Sequence, residues 1–121
     1  IKDYQEYTGD RSFSKCLDKG YSFYRSCFFT EEGIAKYYHN RLYPIDIQCV
    51  SQSIETLIYF GDIDMALKVA RWVIRNMQAP DGYFYFQRHR FFTNKTPMLH
   101  WGQGTMFSAL ARLYYSLGGA K

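Results

Sequence analysis

Two glycine–aspartate pairs constrain this chain more than any other feature. Gly9-Asp10 and Gly61-Asp62 each close one apolar helical pattern and open another. Glycine takes the left-handed conformation that ends a helix at little steric cost. An aspartate placed just after it accepts backbone N–H groups at the start of the next helix. Two helices joined by so short a link are antiparallel neighbours.

Periodicity supplies the helices on either side. Phe13, Cys16, Leu17, Gly20, Tyr24, Cys27 and Phe28 follow helical spacing, and so do Ile47, Val50, Ile54, Leu57 and Ile58. Ala66, Val69, Ala70, Val73 and Met77 repeat it, as do Met106, Leu110, Leu113 and Leu117. The spacing predicts helices over 11–28, 45–60, 63–79 and 102–117, with the end of a fifth over 1–8. Short echoes recur between them. Tyr7-Thr8-Gly9-Asp10 returns as Tyr59-Phe60-Gly61-Asp62 and again in Tyr114-Tyr115-Ser116-Leu117-Gly118, and Glu32-Gly33 returns as Asp81-Gly82. A period of roughly fifty residues marks stacked supersecondary units. Each unit reads as helix, tight turn, helix, long aromatic loop.

The long loops cover 29–44 and 80–100, at the end of the array opposite the Gly-Asp turns. Gly82-Tyr83-Phe84-Tyr85-Phe86-Gln87 and Phe91-Phe92-Thr93 predict a short β-hairpin turning near Arg88-His89-Arg90. The fold class is therefore all-α: antiparallel helical hairpins, one domain over 1–121, with a short β-hairpin in a loop. The chain opens at Ile1 in mid-pattern and reads as a fragment or processed chain.

Aromatic residues make up 20% of the sequence, with 12 Tyr and 10 Phe. Their flat faces suit packing between helices and also sugar stacking. The net charge of +4 comes without any run of five basic residues, so a clustered nucleic-acid face is not expected. No apolar run is long enough to span a membrane. Cys16, Cys27 and Cys49 form neither a metal-finger spacing nor a disulfide framework. Cys16 and Cys27 fall on an apolar helical face and are expected as buried free thiols, which favours a reducing, cytoplasmic setting. His39, His89 and His100 share no metal spacing. No metal and no cofactor are expected.

Trp101-Gly102-Gln103-Gly104-Thr105-Met106-Phe107 is the most specific segment. It resembles the W-G-R-G-x-G-W stretch of unsaturated glucuronyl and rhamnogalacturonyl hydrolases, and the hairpin pattern resembles the six-hairpin (α/α) toroid enzymes, which include glycoside hydrolases and sugar epimerases. Gln103 stands where that family has Arg, Phe107 where it has Trp, and Met106 where it has Gly. A glutamine offers no bidentate guanidinium contact to a uronate carboxylate. The resemblance implies that 45–60 and 102–117 are inner helices whose N-terminal ends rim a funnel, and that 11–28 and 63–79 are outer helices. It also implies a ring of six hairpins, of which this chain supplies about two and a half.

Candidate residues follow from that arrangement. Asp46 reads either as a carboxylate favourable to a helix N-terminus or as a general acid or base at the funnel mouth. Tyr43 and Trp101 are candidate stacking platforms, and Gln48, His100 and Gln103 candidate hydroxyl ligands. Gln48, Gln52, Glu55 and Tyr59 form a polar stripe that is either solvated or lines a lumen. Glu31-Glu32 are adjacent loop carboxylates, which read as a pair for glycosidic acid–base work or as the solvated acids usual in a loop. The Gly102-x-Gly104 pair permits close backbone approach, as an anion site or as a packing device.

The expected function is a carbohydrate-active protein of glycoside hydrolase type, with an oligosaccharide or uronic-acid-containing glycan as ligand. The alternative is a non-catalytic α-hairpin repeat module that binds a protein partner. Apolar residues spread over wide arcs of the helices: Ile63, Met65 and Trp72 lie off the stripe of 63–79, and Phe107, Ala111 and Tyr114 off that of 102–117. Such helices need neighbours on both sides, so self-association or the remainder of the ring is expected.

Overall fold

A computed structural model describes residues 1–118. Among the described residues five α-helices follow one another: α1 Lys2–Thr8, α2 Ser14–Cys27, α3 Ile47–Tyr59, α4 Ile63–Met77 and α5 Thr105–Ser116. A π-helical segment, Leu99–Gly104, runs directly into α5. Three two-residue strands, β1 Ile45–Asp46, β2 Gln87–Arg88 and β3 Thr93–Asn94, form a small antiparallel sheet in the order β1-β2-β3. The protein is mostly helical with this sheet at one end.

The hairpin expected in the second long loop is β2–β3, with Gln87 opposite Asn94. Its pairing with β1 has no counterpart in the sequence pattern: Ile45 lies opposite Arg88 and Asp46 opposite Gln87. The expected helix over 45–60 therefore begins at Ile47, because β2 takes up the two residues before it. The last helical stretch begins at Leu99 rather than 102, and its first turns are π rather than α.

The two Gly-Asp turns differ. Gly61 has φ +80, and the Asp62 side chain caps α4 by accepting from the Met65 N–H at 3.3 Å. Gly9 has φ +74, but Asp10 does not cap α2. It accepts from the Ser12 N–H at 2.9 Å, and α2 starts only at Ser14 with no side-chain cap.

The repeat is present in the hydrogen bonds as well as the letters. After α2, Lys36 N–H donates to the Phe28 carbonyl, Thr30 N–H to Ile34 and Gly33 N–H to Thr30. After α4 the same three bonds recur in the same spacing: Tyr85 donates to Met77, Ala79 to Tyr83 and Gly82 to Ala79. The ends of α3 and α5 also match. Phe60 N–H donates to Thr56 and Gly61 to Ile58, and at the end of α5 Leu117 donates to Leu113 and Gly118 to Tyr115. Gly118 has φ +82, against +80 for Gly61.

The core lies between α3, α4 and α5. Val50, Ile54 and Leu57 of α3 meet Ala66, Val69, Ala70, Val73 and Met77 of α4 and Met106, Ala109 and Leu113 of α5 in one cluster. Burial of this apolar stripe is the main driving term, at roughly 25 cal/mol per Å². α2 has no fully buried residue, although its Tyr24, and Phe28 just after its end, pack against the cluster. Cys16 is exposed and Cys27 only half-buried, which corrects the expectation of two buried thiols and removes the premise for a reducing setting. The helical spacing of Cys16 is real, but its helix lies at the margin of the core. No helix among the described residues is long and apolar enough to cross a membrane.

Candidate functional site

The polar stripe on α3 faces the start of α5, and an open cleft of about 710 Å³ lies between them. Gln48, Ser51, Gln52 and Glu55 form the α3 wall. The opposite wall comes from Leu99, His100, Gln103 and Gly104 of the π-helical segment and from Thr105, Phe107 and Ser108 of α5. Local folding explains both walls. The apolar positions of α3 turn to the core, which leaves its residues at i, i+4 and i+7 on the opposite face. The two helices approach closely because Gly102 is buried against Ile47: a Cβ there would lie 3.3 Å from Ile47 Cγ2. This supports the packing reading for Gly102, whereas a Cβ on the exposed Gly104 would meet only the Leu99 carbonyl oxygen, at 3.6 Å.

Glu55 is the carboxylate of the cleft. Ser108 Oγ donates to it at 2.7 Å, and the Arg112 Nε stands 3.7 Å away. Gln52 and Glu55 also border a second opening of about 530 Å³, lined by Lys2, Asp3, Tyr59 and Arg112 among others. Asp3, Glu55 and Arg112 occupy one position of the repeat, counted back from Gly9, Gly61 and Gly118. The α1, α3 and α5 helices thus turn the same position to a single polar face. The Tyr59 hydroxyl donates to Asp3. That bond to a carboxylate pushes the Tyr59 phenol up to about 12.

Three of the six residues singled out from sequence meet at the cleft: Gln48, His100 and Gln103. Gln103 is committed elsewhere with both ends of its amide, which pair with the backbone of Phe84 at 2.7 and 2.8 Å. Asp46 lies outside the cleft lining and is 5% exposed. One of its oxygens accepts from the Gln48 and Cys49 N–H groups at 2.9 and 3.3 Å, and the other from Gln87 Nε2 at 2.6 Å. It caps α3 and ties that cap to β2. Tyr43 packs against the core, and Trp101 is 56% exposed off the cleft wall. Glu31 and Glu32 are exposed in the turn before Gly33.

Ser51, Thr105 and Ser108 escape a reading by helical period. A signal for two of them exists, since Ser51 and Ser108 stand equally far before Gly61 and Gly118 and share one repeat position. Reading it requires the register of the helix ends and not the helical period alone. No group of three or more His, Cys, Asp or Glu side chains is placed to hold a metal ion among the described residues.

No protein-family model, curated protein sequence or solved structure matches this chain.

Proposed function

We propose that the α3–α5 cleft binds an oligosaccharide, and that the chain is part of an (α/α) toroid of the carbohydrate-active kind. The observation that carries the reading is the chemistry of the cleft wall. Three carboxamides (Gln103 already paired with Phe84), an imidazole, three hydroxyls and one carboxylate line a common space with the apolar side chains of Leu99 and Phe107. Planar amides and carboxylates make paired hydrogen bonds to vicinal sugar hydroxyls, and an apolar rim suits the C–H face of a pyranose. The alternation of α1, α3 and α5 on one polar layer with α2 and α4 supports the toroid part of the proposal. In this reading Gln48, Gln52 and His100 hold hydroxyls, and Glu55 replaces Asp46 as the acid–base candidate. Gln103 shapes the wall and does not bind.

Chemical-shift mapping of the chain with neutral and uronate-containing oligosaccharides tests this. Shifts centred on Gln48, Gln52, Glu55, His100 and Ser108 are the expected result. Shifts confined to the Gly9 and Gly61 turns, or none at millimolar ligand, would overturn it.

A further inference from the structure

The bonds that end α3 and α5 set these two helices in register, with Gly61 matching Gly118. In that register Val50, Ile54 and Leu57 of α3 correspond to Phe107, Ala111 and Tyr114 of α5. The three α3 residues are 0% exposed, sealed into the core that α4 and α5 close. Phe107 and Tyr114 are 77% and 60% exposed. One face of the repeat is therefore the heart of the core in α3 and bare in α5. Tyr115 and Leu117 beside it are also exposed. An apolar stripe of this extent ordinarily meets a partner.

We propose that the Phe107–Ala111–Tyr114 face is the docking surface for one further helical hairpin of this same repeat. The occupant is defined by continuity with the α3–α4 interface. On α3 the matching face is closed by α4, an amphipathic helix with the small aliphatic stripe Ala66, Val69, Ala70, Val73, and by the inner helix that follows it. A helix of that stripe fits the α5 face one step on. A second folded copy of this chain does not present such a helix. Its own Ala66, Val69 and Val73 are 0% exposed and Ala70 is 4%, already spent in its own core. The inference rests on the repeat and not on the carbohydrate reading, and it stands if the cleft takes no sugar.

Adding the missing neighbour tests it directly. An extended chain carries residues 62–118 a second time immediately after Gly118, which keeps the register of the helix ends. In repeat proteins stability is close to a sum of units and nearest-neighbour interfaces. The extended chain should melt in one transition, at a Tm higher by about 5 °C or more. Tyr114 lines neither of the two openings beside α5, so Tyr114→Ala is the clean probe. It should move the Tm of the parent chain by about a degree and that of the extended chain by several degrees. Overturning results are an added segment that is protease-labile or melts separately, or an equal effect of Tyr114→Ala in both chains. Sedimentation of the parent supplies the other arm. A dimer that Phe107→Glu dissolves would put a second copy on this face and would equally overturn the proposal.

Discussion

Gln103 and Phe84 hold each other through both ends of one side-chain amide: the Phe84 N–H donates to Gln103 Oε1 at 2.7 Å, and Gln103 Nε2 donates to the Phe84 carbonyl at 2.8 Å. The pair fastens the loop after α4 to the π-helical start of the α5 stretch. Phe84 is itself buried in the core. Gln103→Ala leaves both backbone groups of Phe84 without these partners, and a lost pair of this kind costs about 2 kcal/mol. Chemical denaturation should show that loss, and hydrogen exchange should show faster exchange at the Phe84 amide. An unchanged Phe84 amide would mean that the bonds do not persist in solution.

The same turn occurs twice, and its two glycines separate backbone strain from packing. Gly33 and Gly82 have φ +91 and +93. A Cβ on Gly82 meets nothing within 4 Å, whereas one on Gly33 would lie 2.6 Å from the Lys68 carbonyl carbon and 2.7 Å from its oxygen. Gly82→Ala should cost only the left-handed penalty, about 1 kcal/mol. Gly33→Ala adds a clash with the α4 backbone and should cost about 3 kcal/mol. Equal losses in thermal melts would show that the loop does not sit against α4 as described.

The three thiols differ in exposure, and the surroundings of Cys49 shift its titration. Cys16 is exposed, while burial, with Asp46 nearby, pushes the Cys49 thiol up to about 11 from 9.0. The raised folded value means that the native state holds its proton more tightly than the unfolded chain does. The resulting stabilisation is whole below pH 9 and is lost as pH rises from about 9 to 11. Cys49 is half-buried, so about 1 kcal/mol is at stake after solvent screening. Cys49→Ser should flatten the fall in stability across that window. Iodoacetamide at pH 8 should label Cys16 first and Cys49 last.

Helical period and glycine punctuation make α3, α4 and the turn between them legible, because Val50, Ile54, Leu57, Val69 and Val73 are fully buried and nothing else competes for them. α2 is harder. Its spacing is as regular, yet it lies at the edge of the core, so Cys16 ends in solvent. The start of α3 is displaced from its expected place because Ile45 and Asp46 pair with residues some forty positions on, a tertiary bond that no local pattern announces. Within the site, Gln48 and the stripe to Glu55 are readable from spacing. Gln103 reads from sequence as a hydroxyl ligand, but its amide is occupied by Phe84, and such a partner is visible only once the loop is folded.

Asp46 caps α3, and in the proposed function Glu55 takes the acid–base role that is one of the two readings sequence gives Asp46. Asp46 accepts three hydrogen bonds that begin α3 and fasten it to β2. Removing them in Asp46→Ala leaves the Gln48 and Cys49 N–H groups uncapped, at a cost of about 2–3 kcal/mol. Glu55 stands in the cleft with one hydroxyl donor, Ser108, and a largely exposed Arg112 at 3.7 Å. Glu55→Gln keeps an oxygen for Ser108 and loses a screened ion pair, so stability should stay within about 0.5 kcal/mol. For an oligosaccharide that shifts the cleft amides, Glu55→Gln should raise Kd about tenfold, the loss of one good hydrogen bond of about 1.4 kcal/mol. Asp46→Ala, assayed well below its melting temperature, should leave Kd where it was. Isothermal titration together with thermal melts of the two variants reads both quantities. The opposite pattern, with Asp46→Ala abolishing binding in a folded protein and Glu55→Gln binding as before, would return the acid–base role to Asp46 and move the site from the cleft to the sheet at the mouth of α3.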